Sequence, residues 1–362
     1  RMSLHCSLQP NEATGEMLNA VGDRKMKHGK KCKIDKYTLI LSVLLLLLTG
    51  LVIAWELPQK EDRYIHVGIA VYDRSDTFME SYIRELEDKI GQTRILGKKV
   101  SYEIYDAEGI GSRQEKQLQE MYAQDYDVML VNLVEPASAA GVLTDAKDAD
   151  IPVILFNREI DEKDLKISKN VWYVGTDARA AGVMQGKLLK DLWKKQSRIL
   201  DWNGNGMLDY VLVEGEESHF DAIRRTSGFL ETGAELPLNQ KGNILAEWKR
   251  ELAYEKFAAL DDEAVQNVEA VICNNDDMAL GVYDYYKEKN LKLPVIIGIN
   301  NSEEMHQKIM SGEMYGTIDN KMEDQVMEIC RLMQAILKKD TGSYQKVWYS
   351  TPKAIVKAEG TE

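Results

Sequence analysis

The sequence is poor in cysteine, histidine and proline, with 4, 5 and 7 of its 362 residues. Cys6 and Cys32 precede a long apolar run, whereas Cys273 and Cys330 lie in apolar patterns typical of a strand and a helix. This placement favours buried thiols over a disulfide. Basic residues are not in excess either, since 46 Lys and Arg face 59 Asp and Glu, for a net charge of −13. Nucleic acid is therefore not expected as a partner, because no basic stripe is present to neutralise phosphates.

The longest uncharged run lies near the N-terminus. Residues 37–55 read YTLILSVLLLLLTGLVIAW, which is long enough to cross a bilayer and predicts a transmembrane or signal segment. Residues 1–36 contain eight Lys or Arg and four Asp or Glu, so the positive-inside rule places this basic N-terminus in the cytoplasm. The rest of the chain is then extracytoplasmic. Met26 is an alternative start, and whether the segment is cleaved stays open.

Beyond residue 64, short β-branched runs alternate with segments of helix-forming residues. The first set of runs covers 65–72, 100–105, 127–132 and 151–157, and the second covers 171–175, 210–215, 243–248, 269–276 and 294–300. This alternation is typical of parallel sheets covered by helices on both faces. Two sets predict an α/β protein with two doubly wound lobes.

Polar and aromatic side chains follow most of these runs, where ligands bind in open α/β sheets. They are Asp76, Phe78, Asn132, His219, Asp221, Arg225, Trp248, Asn275, Asn300 and Asn320. Carboxylates accept from hydroxyl groups, Asn and Arg donate, and aromatic rings offer flat faces to the C–H side of a pyranose. The mixture predicts a sugar ligand, although an Asp or Asn at such a position is also a common helix cap.

One loop has the spacing of a calcium site. The loop has the residue types of an EF-hand at positions 1, 3, 5, 6 and 9 of the motif, and position 7 would contribute its main-chain carbonyl. In that order of positions the residues are Asp201, Asn203, Asn205, Gly206, Met207 (position 7) and Asp209. Position 12 is Leu212 instead of a bidentate Glu, so a carboxylate from elsewhere is required. A polar Asn-Gly turn is the alternative interpretation.

From about Tyr64 onward, the chain resembles the bacterial galactose/glucose-binding proteins of the type I periplasmic sugar-binding family. The matching stretches are YDRSDTFM, VNLVEPASAAG, FNRE, YVGTD, GEESHFDAIRRT, AVICNNDDMALG and GTIDN. The resemblance covers nearly the whole chain after the apolar run.

The resemblance implies a role for each candidate residue. Hydrogen bonds to D-galactose or D-glucose would come from Asp76, Asn132, His219, Asp221, Arg225, Asn275 and Asn320, with Phe78 and Trp248 stacking on the ring. Ca²⁺ would be held by Asp201, Asn203, Asn205, the Met207 carbonyl, Asp209 and the distant Glu269. Asn300 departs from the family, which has an Asp there, and exchange of a charged acceptor for an amide lowers affinity by roughly one or two powers of ten. The preferred sugar therefore stays open.

The resemblance also implies two doubly wound lobes joined by a three-crossing hinge. We predict an N-lobe of residues 63–160 with 320–345 and a C-lobe of residues 161–319 with 346–362. The crossings are expected near 157–170, 318–321 and 345–347. The lobes would close on the sugar, and the closed monomer would be presented to an ABC sugar transporter. A membrane-tethered sugar-sensing subunit for chemotaxis or a signalling receptor is the alternative.

Two other classes of protein fit less well. His219, Asp221 and Glu216 are not accompanied by a nucleophile elbow, a phosphate loop or a second metal cluster, so we predict no catalytic residues and no enzyme. A transcription regulator with this lobe architecture would need a basic helix-turn-helix where the apolar run stands.

Overall fold

The computed structural model describes residues 35–61, 64–260 and 265–357, and the chain divides into two compact units, residues 1–59 and 60–362. Helix α1 (Lys36–Glu61) has exposed apolar side chains up to Val52, the last one described in it. Among the described residues, we find no helix with the length and hydropathy of a membrane span. The predicted span 37–55 continues past Val52, and the predicted basic N-terminus before residue 35 lies outside the described residues.

The first sheet of the larger unit has seven strands, in the spatial order β12-β6-β5-β4-β1-β3-β2. Their bounds are β1 Tyr64–Val71, β2 Arg94–Ile95, β3 Lys98–Asp106, β4 Val128–Val131, β5 Val153–Phe156, β6 Val171–Thr176 and β12 Val347–Ser350. All neighbours are parallel except β2 and β3, which form a short antiparallel pair. Helices cover both faces; they are α2 Thr77–Gln92, α3 Gly111–Tyr122, α4 Ala139–Asp148 and α10 Met322–Leu337. Short 3₁₀ turns occur at Pro136–Ser138 and Asp164–Lys166.

The second sheet has six strands, in the order β13-β11-β10-β9-β7-β8. Its strands are β7 Leu208–Glu214, β8 Leu238–Leu245, β9 Ala270–Cys273, β10 Val295–Ile299, β11 Gly316–Asp319 and the antiparallel edge strand β13 Lys353–Val356. Its helices are α5 Ala178–Leu200, α6 Phe220–Gly233, α7 Arg250–Ala258, α8 Asp276–Glu288 and α9 Glu303–Ser311. The two-lobed α/β fold with parallel sheets is as predicted.

Apolar residues fill both faces of the central strands, which explains why the sequence runs are continuous and do not alternate. Strands β4, β5 and β9 read VMLV, VILF and AVIC, and each of these residues is buried. A strand in a parallel sheet is covered by helices on both sides, so both sets of side chains leave water. Cys273 and Cys330 are free and buried, as expected.

Two of the predicted lobe boundaries are wrong. Strand β6 was assigned to the second lobe, yet it pairs with β5 in the first sheet, and β12 pairs with β6 on its other side. The first crossing therefore lies at Asp177 and not within 157–170, and the third lies between Ser350 and Lys353 and not near 345–347. The second crossing follows β11, close to the predicted 318–321. The N-lobe thus comprises residues 64–176 and 321–350, and the C-lobe 177–320 and 353–357.

Helices α5 and α6 approach so closely that their contact requires glycine. A Cβ on Gly182 would lie 1.9 Å from the Arg225 carbonyl oxygen, and a Cβ on Gly228 would lie 2.2 Å from that of Arg179. The two helix backbones are therefore in direct contact. Because Arg225 is part of this contact, the packing also fixes the main chain of a predicted sugar-binding residue.

Substitution of Gly182 by Ala is expected to destabilise the protein by about 1 to 3 kcal/mol, since the helices must separate to admit the methyl group. The matched control is Gly141→Ala in α4, where a Cβ meets nothing within 4 Å. Helix propensity alone should make that variant more stable by about 0.5 to 1 kcal/mol. Urea unfolding of both variants measures the difference, and equal stability would show that the helices have room to relax.

Candidate functional site

A cleft of about 1610 Å³ lies between the lobes, and a narrow inner pocket of about 40 Å³ adjoins it. The inner pocket is lined by Tyr72, Asp76, Phe78, Asn157, Arg158, His219, Asp221, Arg225, Trp248, Asn275 and Asn300. Its volume holds only a few water molecules. A hexose could therefore enter this closed arrangement only if the lobes moved apart.

Eight of the ten predicted sugar-binding residues line this pocket. The other two, Asn132 and Asn320, are buried beside it: Asn132 Oδ1 accepts from the Tyr72 amide (3.3 Å), and Asn320 Nδ2 donates to Asn300 Oδ1 (2.8 Å). The fold thus brings the predicted set together. Tyr72, Asn157 and Arg158 were missed, although each directly follows a β-branched run and could have been included on that ground.

Several lining residues also cap helices, as the alternative interpretation of these positions predicts. Asp76 Oδ1 accepts from the Met79 amide at the start of α2 (2.7 Å), and Asn275 Oδ1 accepts from the Met278 amide at the start of α8 (2.9 Å). The capping bond uses one acceptor position of each side chain. Both residues also line the pocket.

His219 is a neutral donor. Its Nδ1 accepts from the Asp221 amide (3.1 Å), so the ring proton is on Nε2, which is buried and has no partner. Burial, together with the nearby charges of Arg158 and Arg225, lowers the pKa of His219 to about 2. The imidazole therefore stays uncharged at any physiological pH and offers one N–H to a ligand.

Asp221 and Arg225 form the charged part of the pocket. Burial raises the pKa of Asp221 to about 6, although Arg225 opposes the shift. Arg225 Nη1 donates to the Asn274 carbonyl oxygen (2.6 Å), whereas its Nε is buried and has no partner. Buried polar groups are normally paired, so unpaired N–H groups in a pocket indicate where a ligand would bind.

Phe78 and Trp248 come from opposite lobes and both line the pocket. The Trp248 main chain is left-handed (φ 67°), and its carbonyl oxygen accepts from Asn275 Nδ2 (3.0 Å). The indole lies against Gly215, where a Cβ would come within 2.3 Å of the ring. The position of the indole therefore depends on the left-handed main chain of Trp248 and on the absence of a side chain at Gly215.

The predicted calcium loop is closed by hydrogen bonds among its own residues. Glu269 Oε1 accepts from the Trp202 and Asn203 amides, and its Oε2 accepts from the Asp209 amide (2.9 Å). Asp209 Oδ2 accepts from the side-chain amides of Asn203 (2.9 Å) and Asn205 (3.2 Å). The fold therefore brings Glu269, the residue before β9, to the loop, where the missing twelfth position requires a carboxylate.

The loop fits Ca²⁺ only in part. Asp201 Oδ1 is buried without a partner, and Asp201 Oδ2 accepts from the Gly206 amide (3.0 Å), so a carboxylate oxygen is available in a turn of suitable shape. Within the described residues, however, no group of three or more His, Cys, Asp or Glu side chains is arranged to hold a metal ion. The oxygen donors suit Ca²⁺, but their present arrangement is not a coordination shell.

The chain is similar in sequence to known proteins. Residues 67–341 match the family model described as periplasmic binding protein domain. The chain belongs to the periplasmic binding protein family. A D-galactose/methyl-galactoside binding periplasmic protein of Haemophilus influenzae is 30% identical over 290 residues, which cover 78% of this chain and 84% of that protein. The galactofuranose-binding protein of Escherichia coli is 27% identical over 248 residues, covering 66% and 74%. The resemblance to type I periplasmic sugar-binding proteins is confirmed.

Solved structures show the same fold. A protein from Mycobacterium smegmatis in complex with β-D-fucofuranose has a TM-score of 0.71 at 19% identity, covering 81% of this chain and 91% of that one. The myo-inositol binding protein of Caulobacter has a TM-score of 0.68 at 23% identity, covering 81% and 93%. At this level of identity the likeness concerns the fold and not the ligand.

Asp276, buried next to Asn275, should make stability depend on pH. It accepts from Thr317 Oγ1 (2.6 Å) and from the Ser302 amide (2.7 Å), and burial raises its pKa to about 7. The folded form then binds the proton more tightly than the unfolded chain, so this group makes the free energy of unfolding fall as pH rises from about 4 to 7.

Asp276→Asn removes this titration. Thr317 and Ser302 donate to different oxygens of Asp276, so in the variant the amide oxygen can accept from the Ser302 amide while Nδ2 donates to the Thr317 hydroxyl, which can also accept. We expect the variant to gain stability relative to wild type at about pH 7.5 and to gain little at about pH 4.5, as measured by denaturant unfolding. Asp221 and Asp277, whose pKa values are also raised to about 6, still make the free energy of unfolding of the variant depend on pH. The exposed Asp191→Asn serves as control. Parallel pH profiles of Asp276→Asn and wild type would contradict the assignment.

Proposed function

We propose that this protein binds D-galactose or D-glucose between its lobes outside the cytoplasm and presents the closed form to an ABC sugar transporter. The observation that carries the proposal is the set of buried, unpartnered polar atoms at the pocket: His219 Nε2, Arg225 Nε and Asn320 Oδ1. Two N–H donors and one carbonyl acceptor suit the hydroxyl groups of a sugar, which both donate and accept. Phe78 and Trp248 supply apolar faces on opposite lobes.

The comparisons support sugar binding and transport in general. The relatives are named as binding proteins for galactosides and galactofuranose, which also supports a role without catalysis. The family name favours an extracytoplasmic location. Attachment through residues 37–55 and the sensing role remain predictions, as does the monomeric state.

Asn300 is the residue on which the choice of sugar depends most. Its Oδ1 already accepts from Asn320 Nδ2, so its own Nδ2 is left to donate at a position where the resemblance implies a carboxylate acceptor. A ligand hydroxyl there can accept from this N–H, which a carboxylate could not offer. Galactose and glucose differ in how their hydroxyls are directed, so both are compared in the test.

The full chain is titrated with D-galactose and D-glucose by calorimetry and tryptophan fluorescence. We expect saturable binding of at least one hexose and an affinity lower by roughly 10- to 100-fold in Asp221→Asn, because a charge-assisted bond contributes about 1.5 to 3 kcal/mol. Asp191→Asn, an exposed carboxylate change, should bind like wild type. Absence of any response to either hexose in the folded protein would rule out the proposed ligand.

We also propose that Asp201, Asn203, Asn205, the Met207 carbonyl, Asp209 and Glu269 hold Ca²⁺. The proposal is supported by the loop spacing and by the unpartnered Asp201 oxygen. Bound Ca²⁺ would offset two of the three negative charges of Asp201, Asp209 and Glu269, which the fold gathers near the starts of β7 and β9.

Removal of divalent ions by a chelator is expected to lower the Tm, and Ca²⁺ at about 100 times its Kd should restore about 2.7 kcal/mol. Glu269→Gln should lose this response, whereas Glu255→Gln, on the exposed side of α7, should keep it. If neither chelator nor Ca²⁺ changes the Tm of the wild-type protein, the loop is a polar turn and not a metal site.

A further inference from the structure

Arg158 is a buried cation of the N-lobe whose Nη1 donates to main-chain carbonyls of that lobe. It is the second residue after β5 and is only 5% exposed. Its guanidinium lies over the Tyr72 ring, 4.1 Å from the centroid, and its Nη1 donates to the carbonyl oxygens of Leu133 and Val134. Its Nη2 instead donates across the cleft to Glu216 Oε1 in the C-lobe.

The same oxygen of Glu216 holds the indole of Trp248. Trp248 Nε1 donates to Glu216 Oε1 at 3.1 Å, so one carboxylate oxygen accepts from both lobes. Nε1 is the single hydrogen-bond donor of the indole. The ring also contacts the edge of His219 (5.3 Å between centroids) and the Arg225 guanidinium (5.5 Å). Glu216 is therefore the polar group that sets the rotation of the ring.

A second ion pair lies beside the Arg158–Glu216 pair, with the anion on the N-lobe and the cation on the C-lobe. Glu159, the next residue of the N-lobe, accepts from Arg224 of helix α6, and its main-chain N–H donates to Asp221. The dipeptide Arg158-Glu159 thus faces Glu216 and Arg224, cation to anion and anion to cation. Such an arrangement matches in only one register, so it specifies how the lobes meet.

We propose that Glu216 is a positioning residue that couples lobe closure to the orientation of Trp248. When the lobes close, Arg158 binds the Glu216 carboxylate and fixes it where it accepts from the indole N–H. When they open, Arg158 loses this partner and the carboxylate is free to turn toward water. This inference rests on the proposed binding of a ligand between the lobes, but not on which sugar is bound.

The physical basis is the unequal exposure of the two partners. The Arg158 side chain is 5% exposed and that of Glu216 39%. A buried cation that loses its anion keeps its desolvation cost, whereas the half-exposed carboxylate regains water. Opening is therefore disfavoured mainly through Arg158, and the pair stabilises the closed form before any ligand contributes.

The test uses the full chain labelled with 5-fluorotryptophan, which places one ¹⁹F nucleus on each of its six tryptophans. Trp248→Phe identifies the Trp248 signal. Without ligand, Arg158→Gln should shift that signal although Arg158 does not contact the indole, and Glu216→Gln should shift it while retaining an oxygen that accepts from Nε1. Glu231→Gln, which breaks the exposed Arg179–Glu231 pair between α5 and α6, should leave it unchanged.

A second measurement addresses binding kinetics. With D-galactose or D-glucose, Glu216→Gln is expected to raise the dissociation rate roughly tenfold while the association rate changes less than twofold, because the ligand enters the open form, in which the pair is already broken, and leaves only after the pair breaks again. Arg158→Lys, which keeps the charge, should recover part of the effect. A purely structural role would change thermal stability without this split between the two rates.

Each outcome decides a separate question. An unchanged Trp248 signal in Arg158→Gln, with the fold intact, overturns the coupling. If Arg158→Gln fails to fold, Glu216→Gln decides in its place, and an unchanged Trp248 signal there overturns the coupling equally. Failure of the wild-type protein to bind either hexose would refute the proposed ligand but not the coupling, since the ¹⁹F comparison needs no ligand.

Discussion

The main-chain carbonyl of Asn320 is the point on which the two-lobed arrangement depends. It accepts from Thr176 Oγ1 (2.8 Å), Ser350 Oγ (2.7 Å) and Gln325 Nε2 (2.9 Å). Thr176 ends β6, Ser350 ends β12 and Asn320 follows β11, so the three segments that cross between the lobes are joined at one oxygen. Thr176 and Ser350 also bond each other (2.8 Å). A bending motion has to preserve or break these bonds together, which gives the hinge a defined axis.

The side chain of Asn320 connects this hinge to the pocket. Its Nδ2 donates to Asn300 and its Oδ1 is unpartnered, while its carbonyl oxygen holds the crossings. A ligand that donates to Oδ1 would therefore bind the hinge residue itself. Asp76, His219 and Asn275 also combine two roles, because each caps a helix and lines the pocket. Helix starts at strand ends thus provide rigid positions for polar groups.

The sequence allowed the fold class and most of the pocket to be predicted, since both follow from local patterns. Polar residues directly after apolar runs had to converge at the strand ends, as Asp221 and Asn275 do. The lobe boundary at β6 could not be predicted in this way. Its residues VWYVGT are buried on both faces, and such a strand carries no sign of which sheet it joins. The Arg158–Glu216 pair was missed for a similar reason, because residues 58 positions apart meet only when two separate lobes close.

The charges at the pocket explain why a neutral ligand fits better than an ionic one. Arg158 is bound to Glu216, and Arg225 lies beside Asp221, so each cation already has an anion near it. His219 adds no charge, because its pKa is lowered by burial and by the two guanidinium groups. A carboxylate ligand would find both cations already paired, and an ammonium ligand would be repelled by the two guanidinium groups that also lower the pKa of His219. Burying either charge there costs several kcal/mol. Hydroxyl groups bring none, yet they can pair with the N–H of His219 and the oxygens of Asp76 and Asp221. The same charge balance that keeps the closed lobes together therefore restricts the ligand to an uncharged, hydroxyl-rich molecule.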